Sequence, residues 1–332
     1  MDSHSKNNVR LLLQWLQNGM NRRGEGVVFL SGAGLGNNSN LPTVNDVLDI
    51  TCSSLLADLS DEQYEFIFGV QPELIYSILL ECANGDERCL DAWKCLSSNS
   101  WNGKYSPKPN PAHIFIAAYS YLSGVPILTM NFDTMFEDAF TLLWRKWYPA
   151  NDVQPPIVVW THQDDPRSSY RKDTVRQLYI CKLHGDIART TDRIDVTNIK
   201  TTMSGISVFL PPWVDFLRKL IEGQHLCFCG YSGRDIDFFP IFVDAAKHSE
   251  IQQTVWFIGP QDKAVSKDGS EPTLTNSRRL ESNCITSWPI DILPDFAKDV
   301  FSGEPALLSV ILDSIGEYCE PQESDRQDKD FL

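Results

Sequence analysis

Val27–Leu30 constrains this chain more than any other stretch: four apolar residues in a row, stopped at once by Ser31-Gly32-Ala33-Gly34. A strand with one wet face alternates apolar and polar residues, so a short unbroken run points to a strand covered on both faces, as in an open parallel sheet. Further strands are predicted at Val125–Thr129, 155–160, 177–183, 225–229 and 253–258, separated by helices near 134–145, 211–222 and 236–247. A helix over Ser5–Met20, apolar at Val9, Leu12, Leu13, Leu16 and Met20, leads into the first strand. Another opens at Asn110-Pro111-Ala112-His113, with Asn as N-cap and Pro at the first helical position. Strands alternating with helices predict an α/β fold with a Rossmann-like, doubly wound parallel sheet. From Thr43 to Ser98 the pattern changes to helix-like pieces at 44–57, 61–69, 71–83 and 88–97 with no strand, which reads as an inserted helical module spanning about 43–110. The segment 261–276 is a polar loop, and the end from Cys319 has a disordered composition. One catalytic domain over 1–318 and a disordered tail over 319–332 are therefore predicted.

Composition removes several function classes. A formal charge of −15 and the lack of a Lys/Arg run argue against direct nucleic-acid binding, which needs a basic footprint. There is no run of about 18 apolar residues to span a bilayer, and the first twenty residues lack the apolar core of a signal peptide, so no membrane and a cytoplasmic location are predicted. The nine cysteines include no C-x-x-C pair, so the sequence predicts neither a metal site nor a redox motif.

Four short motifs stand at the carboxyl ends of predicted strands, the edge where open parallel sheets gather ligands. The first is Ser31-Gly32-Ala33-Gly34-Leu35-Gly36, whose glycines would let backbone N–H groups approach a pyrophosphate without a Cβ in the way. Asn37 stands where the dinucleotide fingerprint G-x-G-x-x-G needs its third glycine, and no Lys-Ser/Thr ends the run, which disfavours a hydride-transfer dehydrogenase and excludes a P-loop. The second is Thr129-Met130-Asn131-Phe132-Asp133, whose polar pair either faces a pocket or caps the next helix. The third, Lys182-Leu183-His184-Gly185-Asp186, puts a histidine at a strand end, placed either for acid–base work or for a structural hydrogen bond. The fourth is Cys229-Gly230-Tyr231-Ser232-Gly233-Arg234-Asp235, in which Arg234 rules out a G-x-S-x-G nucleophile elbow.

In this order and at these spacings, the four motifs resemble the sirtuin superfamily, and in particular its bacterial sirtuin-like NADases of anti-phage defence, over about residues 24–260. The resemblance implies that Gly32, Ala33 and Gly34 line the diphosphate of NAD+ and that Asn131 holds a ribose hydroxyl or the attacking water. It further implies that Asp133 contacts the nicotinamide carboxamide, that His184 acts on the ribose hydroxyls, and that Thr129, Gly230 and Ser232 belong to the cofactor-contacting loops. Met130 departs from the family pattern, standing where protein deacylases carry Gln.

The chemistry suits these residue types. Nicotinamide in NAD+ is already a cationic leaving group, so the task is to stabilise an oxocarbenium-like ribose and to place a nucleophile on its open face. Family deacylases carry a four-cysteine zinc module after the His-Gly motif; between His184 and Gly230 this chain has only Cys227 and Cys229. Hydrolysis of NAD+ to nicotinamide and ADP-ribose is therefore favoured over the alternatives, an NAD-dependent deacylase or an inactive NAD/ADP-ribose-binding sensor module. An ungated NADase would exhaust its own cell, so control by a homo-oligomer or by a regulatory partner such as an ATPase is anticipated.

Overall fold

The computed structural model describes residues 3–42, 44–55, 107–149, 153–168, 176–189, 199–200, 211–231, 237–247, 253–258 and 284–319, with residues 60, 62–63, 66–67, 74–78 and 170. Among the described residues, seven strands form one sheet in which every neighbouring pair is parallel. They are β1 (Val27–Ser31), β2 (Ile127–Thr129), β3 (Ile157–Thr161), β4 (Leu178–Lys182), β5 (His225–Cys229), β6 (Gln253–Ile258) and β7 (Cys284–Pro289), in the order β3-β4-β2-β1-β5-β6-β7. From β1 the chain lays β2 beside it, passes to β3 at the edge and comes back to place β4 between β3 and β2, then crosses to lay β5, β6 and β7 on the other side of β1. The topological switch lies between β1 and β5, and crevices at such points bind ligands at the strands' carboxyl ends.

Side chains alternate across the sheet and feed two cores. Val27 and Phe29 of β1, Leu178 and Ile180 of β4, and Cys227 and Cys229 of β5 enter one cluster, while Val28, Leu30, Tyr179, Cys181, Leu226 and Phe228 enter the other. The first face is covered by α1 (Ser3–Asn21), α3 (Pro111–Ser123), α4 (Met135–Trp147), α7 (Ala297–Val300) and α8 (Pro305–Cys319). The second is covered by α5 (Pro211–Ile221) and α6 (Phe239–Lys247). The predicted double winding, with strands buried on both faces, is what the sheet displays.

Local chemistry explains where elements start. Asn110 accepts a hydrogen bond from the backbone N–H of His113 (3.1 Å) while the ring Nδ1 of His113 accepts from the Asn110 N–H (3.3 Å), a reciprocal cap reinforced by Pro111 in the first turn. Two predicted strands start later than expected: β2 at Ile127, after Pro126, and β3 at Ile157, after Pro155-Pro156. Proline has no N–H to donate to a ladder, which accounts for both.

In the predicted insertion, α2 (Val44–Leu55) and the described residues at 62–63, 66–67 and 74–78 are helical; the expected helix at 88–97, the loop 261–276 and residues 320–332 lie outside the described residues. Strand β7 and helices α7 and α8 escaped the sequence reading. Strand β7 mixes polar residues with a terminal proline and adds to the edge of the sheet beyond β6. Helix α8 buries Leu307, Ile311 and Ser314 and continues to Cys319. Among the described residues, no helix is long and apolar enough to cross a membrane.

Candidate functional site

Four strand ends meet at the switch point. Immediately beyond the ladder, the N–H of Met130 donates to Ser31 O (3.0 Å), that of Leu183 to Thr129 O (2.9 Å) and that of Gly32 to Cys229 O (3.0 Å). The segments leaving β1, β2, β4 and β5 therefore begin level with one another, and the residues singled out by sequence sit on them.

The glycine motif leaves β1 as a 3-10 turn over Ala33–Asn38. The N–H of Gly34 donates to Gly230 O (2.9 Å), so the N–H groups of Gly32 and Gly34 are engaged by the last residue of β5 and the residue that follows it. An ideal Cβ on Gly32 would stand 2.8 Å from Gly230 O, and one on Gly34 2.9 Å from Gly230 Cα. What these glycines admit is thus a second backbone, and the motif is a loop-on-loop closure with Ala33 as its exposed member. The Asn110 side chain anchors the closure by donating to Leu35 O (2.6 Å).

Asn131 is half-buried at the mouth of this closure and donates through Nδ2 to Gly32 O (3.2 Å). Thr129 lies beneath it, fully buried, with Oγ1 accepting from Ser31 Oγ (2.8 Å) and from the Asn131 N–H (3.0 Å). Thr129 thus braces Asn131 from below. Asp133 is buried, and its Oδ1 accepts from the Met135 N–H (3.0 Å), tying off the start of α4. Burial pushes its carboxyl above the usual range, opposed by that N–H and by the Lys182 ammonium. The bond to the Met135 N–H supplies one of the two duties the sequence left open for Asp133, that of helix capping. Ser232 lies outside the described residues.

His184 follows β4 and is nearly buried, with ring Nε2 at 3.4 and 3.3 Å from Oδ1 and Oδ2 of Asp237. Its carbonyl accepts from the Lys200 N–H (2.6 Å), and Lys200 Nζ lies 3.9 Å from Asp237 Oδ2. Gly185, at φ +115°, turns the chain and bridges antiparallel to Ile199. Below this, Lys182 is wholly buried. Its Nζ donates to Asp133 O (2.7 Å) and Asp186 Oδ1 (2.7 Å) and pairs with Glu137 Oε1 (2.5 Å). Burial pushes Glu137 up to about 7; Lys182 pulls it down and Asp186 adds to the rise. Neither this buried cluster nor Asp237 was assigned a role from sequence. Lys182 and Asp186 flank His184 in its motif, and a lysine closing an otherwise apolar strand was a signal for a buried ion cluster. Asp237 carried no signal, lying just beyond the fourth motif.

Cys227 and Cys229 lie in β5 inside the first core, where burial pushes both thiols up, away from the thiolate a metal would need. Among the described residues, no group of His, Cys, Asp and Glu could hold a metal ion.

The chain is thus a doubly wound, parallel α/β protein with an amide, an imidazole and a glycine-closed loop gathered at its switch point. Residues 125–285 match the family model of the SIR2-like domain, a span that runs from just before β2 into β7 and contains Asn131, His184 and Asp237 but not the glycine motif of β1. Among solved structures, a Sir2 homologue mutant in complex with ADP-ribose is similar at 14% identity and a TM-score of 0.41, over 85% of this chain and 96% of that one. A sirtuin solved in a study of substrate affinity is similar at 15% identity and a TM-score of 0.36, over 81% and 97%. A Sir2 structure with an inhibitor, 2'-O-acetyl-ADP-ribose and a deacetylated peptide gives 15% and 0.33, over 80% and 96%. No curated protein matches the chain.

Proposed function

We propose that the protein is an NAD+ glycohydrolase that cleaves the nicotinamide–ribose bond with water. The observation that carries this reading is the meeting, at one switch point, of Asn131 after β2, His184 after β4 and the Gly32–Gly34 closure between β1 and β5. In the reaction the C1'–N bond breaks, its electron pair goes to the pyridinium nitrogen, and nicotinamide leaves neutral. Water adds to the oxocarbenium-like ribose carbon and gives up one proton, so the products are nicotinamide, ADP-ribose and H+.

Each residue has a part in that sequence. Neutral Asn131 offers an amide to a ribose hydroxyl or to the incoming water without adding charge beside a developing cation. His184 takes up the proton and passes it to solvent. The exposed Ala33 corner, between two glycines committed to the closure, presents a surface without long side chains to the diphosphate, and Gly230 closes it from the other side. Thr129 holds Asn131 from beneath, and Asp133, tied to the Met135 N–H, is the residue assigned to the nicotinamide carboxamide.

The resemblance to sirtuin-like NADases extends the proposal to a role in anti-phage defence, by depletion of NAD+ once triggered. Control is assigned to self-association or to a partner protein such as an ATPase. Incubation with NAD+ and chromatography of the products test the reading, run over a range of protein concentrations and with proteins encoded beside this one. Free nicotinamide with ADP-ribose, formed without any peptide, is expected, and Asn131→Ala and His184→Ala should each lower turnover at least about a hundredfold at unchanged circular dichroism. Nicotinamide released only with an acylated peptide would transfer the protein to the deacylases, and NAD+ left intact under every condition would make it a binder.

A further inference from the structure

Among the described residues, Asp237 is an acidic side chain at the switch point that the proposed chemistry leaves unused, and its surroundings are unusual for a carboxylate. Its side chain is 1% exposed, and among the described residues it meets only His184 and Lys200. Oδ2 is buried without a hydrogen bond. Among the described residues, no backbone N–H caps this carboxylate and no arginine forks around it, the usual companions of a buried acid. What it has is the imidazole, with both oxygens within 3.4 Å of Nε2.

The contact also crosses the site. His184 leaves β4 and Asp237 enters α6 after β5, and the strands β2 and β1 lie between those two in the sheet. The pair therefore passes over the ends of the strands that carry Asn131 and Gly32. Lys200 completes the arrangement, its N–H holding the His184 carbonyl and its ammonium standing behind the carboxylate.

We propose that Asp237 is the positioning residue of His184: its carboxylate accepts the Nε2 proton, fixing the ring in the tautomer whose lone pair lies on Nδ1 and stabilising the imidazolium formed when that nitrogen takes a proton. This rests on the reading that His184 acts in NAD+ cleavage. The proton balance is simple. The neutral ring keeps its proton on Nε2, Nδ1 receives one from the ribose hydroxyl or water, and the imidazolium later releases one to solvent. Histidines at reacting centres are commonly oriented through the ring nitrogen that does not react. Lys200 faces the same carboxylate; Asp237 and Lys200 are the charged groups that face the ring among the described residues.

The test uses the full chain with ¹⁵N-labelled histidine and the variants Asp237→Asn, Asp237→Glu and, to assign the ring signals, His184→Gln. In wild type, long-range ¹H–¹⁵N spectra should show His184 protonated on Nε2, and in Asp237→Asn this preference should weaken and the ring pKa should fall by about one unit as the stabilising charge goes. With NAD+, Asp237→Asn should lose about tenfold to a thousandfold in kcat with KM changed less than about threefold. The acid limb of its pH profile should move down by about one unit, and Asp237→Glu should recover part of the loss. A ring tautomer and pKa identical in wild type and Asp237→Asn overturn the inference whatever the turnover, as does an unchanged kcat and acid limb in an active enzyme. If wild type never consumes NAD+ but its His184 still answers to Asp237 in the spectra, the inference about the pair stands and the glycohydrolase reading falls.

Discussion

Gly230 holds the closure on which the site depends. Its φ is +59°, and a Cβ there would lie 2.1 Å from Leu35 N and 2.4 Å from the carbonyl carbon of Gly34. Two costs would add on substitution, a left-handed backbone with a side chain at about 1–2 kcal/mol and an overlap with main chain that cannot rotate away. Gly223, in the turn after α5, offers the control, since its φ is +70° but nothing lies within 4 Å of its Cβ position. Gly223→Ala should cost about 1 kcal/mol and Gly230→Ala about 2–4 kcal/mol, with a raised KM for NAD+ only in the latter. Equal losses in urea denaturation would show that the loop contact carries no strain. At this scale Asn131, His184 and the glycines were legible because each ends a strand and breaks its pattern. The duty of Gly32 and Gly34 was not, because what a glycine admits depends on what stands opposite, and Gly230 lies far away in sequence.

Between elements, the buried cluster of Lys182, Glu137 and Asp186 joins the end of β4 to the first turn of α4. Lys182 shares a sheet face with Leu178 and Ile180, so strand alternation alone turns its ammonium into the first core, where the two carboxylates meet it. Glu137, pushed by burial to about 7, binds its proton more tightly in the folded protein than in the unfolded chain, where a glutamate titrates near about 4.3. Its contribution to stability is therefore complete below the unfolded value and is lost as pH rises through about 7. Glu137→Gln removes that term. Between about pH 5 and pH 8 the stability of wild type should fall relative to the variant by on the order of 1–3 kcal/mol, read from urea denaturation at the two pH values. Parallel pH dependences would mean that Lys182 holds Glu137 ionised throughout. Strands and helices with one clear period were legible at this scale, and Pro126, Pro155 and Pro156 account for the shifted starts. Strand β7 was missed because its mixed sequence lacks the apolar run that betrays a strand buried on both faces.

For the molecule as a whole, the sheet order turns four scattered motifs into one site. The alternation of strands and helices implied a parallel sheet, but which strands neighbour each other is decided by long-range pairing, and only the order β4-β2-β1-β5 brings the four segments side by side. It also puts the site across the boundary between the two halves of the sheet, with β1 and β5 both feeding the same two cores. A dinucleotide fragment bound at the proposed site would touch segments from both halves, and none of those contacts would exist in the unfolded chain. Binding should consequently stabilise the entire fold in one step rather than loosen one half from the other. ADP-ribose is the probe, because it is the proposed product and is not itself cleaved at the nicotinamide bond. At about a hundred times its Kd it should add about 2.7 kcal/mol and raise Tm by several degrees, with one transition throughout. Gly230→Ala, whose closure is opened, should show a smaller rise than wild type at the same ADP-ribose concentration, while Gly223→Ala should match wild type. A Tm indifferent to millimolar ADP-ribose in wild type would remove the switch point as the dinucleotide site, and with it the assignment of Asn131 and His184 to NAD+ chemistry.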